Sequence, residues 1–174
     1  PEPLRIRYAD YAAWQDARLG QGALQEDEAY WLARMGGELP PLELPDDRTG
    51  EEGAGTRVEV IEESVRVSQA LRAIGTRLDA TPFMVRLALL KAFLSRLCGQ
   101  DDVRVGSPVS GRDRTELEAL VGMFVNTLAL RTDVSGDPSF AGVVERVRRT
   151  SASSQSRRST SCSLVKWSVY TKAV

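Results

Sequence analysis

Stretches of helical period and stretches of strand period both occur along this 174-residue chain, and a fold that mixes helix and strand, of the α/β class, is expected. Two observations carry the prediction. Residues 82–98 are almost wholly apolar between a Thr-Pro start and a glycine stop, the layout of a long helix, whereas Thr56-Arg-Val-Glu-Val-Ile61 alternates polar and apolar residues as a half-buried strand does. A hydrophobic content of 42% is enough to build a core at this length.

From Ile6 to Arg34 the sequence predicts two helices, because Tyr8, Tyr11, Ala12 and Trp14, then Leu24, Tyr30, Trp31 and Met35, recur at helical spacing. Gly20-Gln-Gly22 separates them. Residues 36–55 are dense in Pro, Gly and acidic side chains and read as an extended linker. Beyond the Thr56–Ile61 strand, Ser68 is expected to cap a helix running to about Leu78. The next helix is the most sharply marked. Thr81 can accept from first-turn amides, Pro82 has no amide to waste at the first helical position, and Gly99 can take the left-handed stop. Only Arg86, Lys91, Ser95 and Arg96 interrupt its apolar surface, so it is expected to be a buried helix.

Val103–Val109 then reads as a short strand, Gly111-Arg-Asp-Arg114 as a loop, Glu116–Leu120 as a short helix and Phe124–Thr132 as a second strand. Asp133–Pro138 is a turn, after which Ser139 can cap a helix with Phe140, Val143, Val144 and Val147 on its apolar stripe. From Thr150 the apolar pattern stops. Residues 151–163 are mostly Ser, Thr and Arg, so residues 151–174 are expected to be an atypical, disordered tail, either an altered end such as a shifted reading frame or a natural flexible terminus.

Composition excludes several functions. A net charge of −1 argues against nucleic acid or membrane held by bulk electrostatics. No apolar run approaches the roughly 20 residues of a membrane span, and the start has no signal-peptide layout; the expectation is a soluble, cytoplasmic protein. Cys98 and Cys162 lack metal-ligand or disulfide-framework spacing. There is no histidine, which rules out a Ser-His-Asp or Cys-His relay within the chain, and no metal site is expected. Asp46-Asp47, Glu51-Glu52 and Glu62-Glu63 lie in polar runs or at strand ends, where carboxylates stay solvated. No glycine-rich phosphate loop is present, and the Arg146–Arg158 cluster has no interleaved aromatics for stacking bases.

Two motifs remain. Tyr8-Ala-Asp-Tyr-Ala-Ala-Trp14 and, much later, Val121-Gly-Met-Phe-Val-Asn-Thr-Leu-Ala-Leu-Arg131 occur in the order and form found in condensation domains of nonribosomal peptide synthetases. Tyr30-Trp31, Leu44-Pro-Asp-Asp-Arg48 and Gly99-Gln-Asp-Asp102 add to the resemblance, which covers roughly Leu4 to Thr150. It implies an incomplete chloramphenicol acetyltransferase-like α/β fold at the junction of two lobes. Residues 1–40 would end the amino-terminal lobe, 41–55 link, and 56–150 begin the carboxy-terminal lobe. A first residue other than Met fits an internal piece.

The family forms amide bonds: the amine of an aminoacyl group on one carrier protein attacks the thioester of an acyl or peptidyl group on another. The resemblance therefore implies carrier-protein and adenylation domains as partners, and phosphopantetheine arms that belong to the carriers, with no cofactor bound by this chain. The family's His-His-x-x-x-Asp-Gly motif is absent, so this segment is expected to hold no catalytic residue and to be inactive alone. Gly106, Ser107, Pro108, Gly111 and Arg112 resemble the loop that floors the family's active-site tunnel, and Asn126 and Thr127 lie on the strand beside it. Either these residues touch substrate, or Arg112 and Asn126 only pin loop to strand. Tyr8, Asp10, Tyr11, Trp14, Gly122, Phe124 and Arg131 are expected to be structural, the first four locking a helix in place. Two other readings stay open: an epimerisation or heterocyclisation relative, and a non-catalytic interface domain of the same fold.

Overall fold

The computed structural model describes residues 4–21, 25–37, 40–45 and 62–157. Helices α1 (Tyr8–Gly20) and α2 (Gln25–Met35) come first, then α3 (Val65–Arg77) and α4 (Pro82–Cys98), the strands β1 (Asp102–Ser110) and β2 (Val125–Asp133), and α5 (Phe140–Gln155). A single 3-10 turn, Thr115–Leu117, lies between the strands. The expected strand at 56–61 and most of the expected linker fall outside the described residues.

Among the described residues, β1 and β2 pair as a two-stranded antiparallel ladder, its direction set by Val134 N donating to Asp101 O at one end and Gly111 N to Phe124 O at the other, at 2.8 and 2.6 Å. The chain divides into two compact units, one of Pro1–Pro41, Val105–Arg131 and Ala152–Val174, the other of Leu42–Arg104 and Thr132–Ser151.

In the second unit, α4 has the expected ends. Thr81 accepts from Met84 N at 3.3 Å, Pro82 opens the helix, and Gly99 closes it at φ 64°, a conformation glycine adopts without a Cβ penalty. The cap of α3 differs from expectation. Ser64, in extended backbone, accepts from Val67 N, and the helix starts a turn earlier than a Ser68 cap would allow. The Ser68 hydroxyl instead donates to Glu63, which also receives Arg86.

The expectation that α4 is buried all round is half wrong. Val85, Leu87 and Ala88 are buried, but Phe83, Leu89, Leu90, Phe93 and Leu97 are between 43 and 59% exposed. Lys91, expected as a polar surface point, is fully buried. Its ammonium donates to Val103 O at 3.1 Å and to Thr132 Oγ1 at 2.8 Å, so the cation caps polar groups of both strands. Thr132 in turn lies 3.5 Å from the Thr150 hydroxyl of α5.

The turn before α5 is built as its composition predicts. Ser135 N donates to the Asp133 carboxylate at 2.8 Å, Arg146 donates to Asp133 O and Ser135 O, and Ser139 accepts from Gly142 N. Residues 151–155, expected to open a disordered tail, are helical, and residues 158–174 of that expectation lie outside the described residues. α5 continues to Gln155, with Ser151 and Ser154 fully buried. These serines extend the stripe of Val144 and Val147 at helical spacing, and a small hydroxyl fits a buried face that a count of apolar residues overlooks. In the first unit, Tyr30 donates to Ser153 Oγ at 3.1 Å, and Arg157 stacks on the Tyr30 ring and pairs with Asp27 at 3.2 Å.

Candidate functional site

The two motifs read separately from the sequence meet in the first unit. At the start of α1 the Asp10 carboxylate reaches back to accept from Arg7 N at 2.8 Å, which fixes the first turn. That turn presents Tyr8 and Tyr11 to Phe124. Tyr8 meets the Phe124 ring edge to face at 5.3 Å between centroids, and Tyr11 lies 5.0 Å from it. The Tyr8 hydroxyl donates to Met123 O at 3.1 Å. Beneath them Leu117, Leu120 and Phe124 form a buried cluster against which Ile6 and Tyr11 pack.

Gly122 is part of this fit because a Cβ built there would fall on the Tyr8 ring. Gly111 answers a different demand: its amide approaches Phe124 O so closely that a Cβ would stand 2.7 Å from the same oxygen. Arg112 follows. Its guanidinium lies over the Phe124 ring at 4.0 Å and donates to Leu117 O, so it is held by a backbone carbonyl and a ring face.

The remaining predicted residues are less concentrated. Gly106, Ser107 and Pro108 lie inside β1 and not in a loop; the loop starts at Gly111. Gly106 faces Thr127 of β2, whose methyl would stand 3.3 Å from an added Cβ. Asn126 is half-buried, and its side-chain oxygen accepts from Thr127 N at 2.8 Å. Arg131 lies apart from the cluster, exchanging hydrogen bonds with Arg34: its Nη1 donates to Arg34 O at 2.7 Å, and Arg34 Nη2 donates to Arg131 O at 2.6 Å.

Sequence reasoning missed the second guanidinium layer. Arg18 and Arg114 both stand over the Trp14 ring, at 5.0 and 4.7 Å. The first was legible, since residues four apart share a helix face; the second depends on the fold of the 111–124 loop. Tyr11 is raised above its ordinary value, first by burial and then by the nearby Asp113 and Tyr8, so its phenol stays protonated at neutral pH. What the arrangement provides is an aromatic and guanidinium cluster around Phe124, two residues before Asn126 in the sequence.

The second unit holds a cleft of about 520 Å³ lined by Ser95, Arg96, Asp101, Asp137 and Phe140 among others. It contains none of the site residues expected from the sequence. Among the described residues, no helix is long and apolar enough to cross a membrane.

Comparison with known proteins gives one family. The family described as Condensation domain matches residues 1–166, which carries the match beyond Thr150. Malpibaldin synthetase of Mortierella alpina is 44% identical over 161 residues, 90% of this chain and 3% of that protein. A linear gramicidin synthase of Brevibacillus parabrevis is 45% identical over 151 residues, 84% of this chain and 3% of that protein. The chain thus spans only a small part of the curated relatives it matches. Among solved structures, the first condensation domain of the CDA synthetase superposes with a TM-score of 0.70 at 28% identity, over 83% of this chain and 32% of that one. The X-domain from teicoplanin biosynthesis shares the fold with a TM-score of 0.80 at 24% identity, over 92% of this chain and 37% of that one.

Proposed function

This chain belongs to the condensation domains of nonribosomal peptide synthetases, and from that premise we propose that it supplies wall and floor of the channel in which a carrier-bound acyl or peptidyl thioester meets a carrier-bound aminoacyl amine. The amine nitrogen attacks the thioester carbonyl, the C–N bond forms, the C–S bond breaks, and the thiol of the donor's phosphopantetheine arm departs as the amine proton is taken up. This sequence has no histidine to take that proton, so the base comes from another part of the synthetase and the segment alone is inactive. Its own contribution is position. Two thioester arms must be held in register for attack, and a rigid surface beside the reacting atoms lowers the entropic part of the barrier.

The observation that supports this reading is the convergence of Tyr8, Gly122, Phe124 and Arg112 in one cluster directly preceding Asn126 and Thr127. Partners are the carrier domains that bring both thioesters and the adenylation domain that loads the amino acid. The test is Arg112→Ala and, separately, Asn126→Ala in the full synthetase, with thioester loading of both carriers and dipeptide release followed by mass spectrometry. Loading should be unchanged while dipeptide formation falls by about tenfold or more. Unchanged dipeptide formation in both variants would sink the proposal. A synthetase that inverts or cyclises the loaded residue would assign the segment to the epimerisation or heterocyclisation relatives, and one that binds loaded carriers without turnover to an interface domain.

A further inference from the structure

One side of α1 carries two guanidinium groups over a single indole ring, that of Trp14. At about 100° per residue, Tyr8, Tyr11, Trp14 and Arg18 fall within about 120° of one another around the helix, and Arg114 reaches the same ring from the loop after β1, where its backbone is extended. The two guanidinium carbons stand 5.0 and 4.7 Å from the ring centre, so the cations lie within about 10 Å of each other, about one Debye length in ~0.1 M salt. They repel across that gap. The ring between them stays open to solvent: Trp14 is 36% exposed and Tyr8 37%, and Met123, whose carbonyl takes the Tyr8 hydroxyl, is 75% exposed.

Other arginines are neutralised where they stand: Arg86 by Glu63, Arg148 by Asp79 and Glu145, Arg157 by Asp27. Among the described residues, no carboxylate pairs with Arg18 or Arg114, and the neighbouring Asp113 bears on Tyr11 instead. A ring face attracts a guanidinium but leaves its N–H donors to water or to a partner, and a planar fork held in place by a ring is preorganised for a carboxylate. Trp, Tyr, Met and Arg are also the residues enriched where proteins meet, whereas the permanent interior of a domain excludes unpaired charge because desolvating it is costly. The face therefore suits a partner that binds and leaves. We propose that Tyr8, Trp14, Arg18, Arg114 and Met123 form a docking surface for a separate protein segment bearing Asp or Glu side chains. Each guanidinium takes a carboxylate, and the indole and the thioether pack beside them. The assignment does not rest on the proposed channel.

The test uses the full synthetase and a fluorescent Glu-Ala repeat peptide, with the Gln-Ala peptide as its uncharged counterpart and anisotropy as the readout. The parent should bind the acidic peptide about tenfold or more tightly than the uncharged one, and Arg18→Gln with Arg114→Gln should remove most of that difference. Arg18→Lys with Arg114→Lys keeps both charges but loses the planar forks, and should fall between. Where the glutamine pair shifts the urea midpoint, the lysine pair decides alone. Arg77→Gln, at an exposed arginine of α3, should leave binding within about twofold of the parent. A benzophenone carried by the acidic peptide should crosslink to the segments holding residues 8–18 or 114–123, located by mass spectrometry. Unchanged binding in the deciding variant, or crosslinks confined to other segments, overturns the proposal. An equal loss in Arg77→Gln overturns it in favour of bulk charge. Displacement of the peptide by inorganic phosphate, at concentrations where acetate of the same ionic strength has no effect, would make this a phosphate site and overturns it as well.

Discussion

Replacing Gly122 with alanine should act through a single neighbour, Tyr8. The added methyl would fall on the Tyr8 ring, so either the ring or the 121–124 backbone must shift. Moving the ring disturbs its edge-to-face contact with Phe124 at 5.3 Å, a term of about 0.5–1.5 kcal/mol, and its 3.1 Å bond to Met123 O, a term of about 0.5–1.5 kcal/mol. Holding the ring in place converts the clash to overpacking, which costs about 1–3 kcal/mol. Both routes lead to a destabilisation of roughly 1–3 kcal/mol by these same terms. The assay is urea unfolding followed by tryptophan fluorescence on the condensation domain that carries the segment, for Gly122→Ala, Tyr8→Ala and the double variant. Because Tyr8→Ala removes the clash, the double variant should be more stable than the sum of the singles predicts, with a coupling of about 1 kcal/mol or more. Additive effects within about 0.5 kcal/mol, or a Gly122→Ala protein as stable as its parent, would refute the reasoning.

Three further outcomes follow from the geometry. Arg112→Ala should destabilise the 111–124 loop by about 1–2 kcal/mol and Arg112→Lys by less, since the charge over Phe124 survives but the planar donor to Leu117 O does not; equal losses in the same unfolding assay would argue against the cation–ring contact. Lys91→Met keeps the length of the chain but leaves Val103 O and the Thr132 hydroxyl without their donor, a cost of about 1–3 kcal/mol, and Lys91→Ala adds a cavity for a total of about 2–5 kcal/mol; a neutral Lys91→Met would show that the ammonium is not needed. The hydrogen bonds from Arg86 and Ser68 lower Glu63 from 4.5 to about 2. A depressed folded-state value means stabilisation that is complete above pH 4.5 and fades as pH falls toward 2, so Glu63→Gln should flatten that part of the stability profile and leave the neutral range nearly parallel; an unaltered acid limb counts against the assignment.

Local signals were read well where the physics is local. The cap, first-turn proline and left-handed glycine of α4 are decided within a few residues, and so is the Asx-type turn before α5. The same locality explains the errors. Ser64 and Ser68 are both competent caps, and only the path of the chain entering α3 selects the first. Counting apolar residues ended α5 at Thr150, because buried serines are invisible to a hydrophobic pattern. The resemblance in residues 8–14 and 121–131 was equally legible, and the family match over residues 1–166 agrees with it.

By itself, then, the sequence determined the mixture of helix and strand, the family and the absence of an imidazole anywhere in the chain, all properties of residue order and type. Only the tertiary structure decided that Tyr8 closes on Gly122, that Arg112 lies on Phe124, and that Lys91 is buried while Phe93 is not. Those outcomes depend on which surfaces meet at separations from a dozen residues to more than a hundred, and burial is a property of neighbours that a residue's own chemistry does not specify.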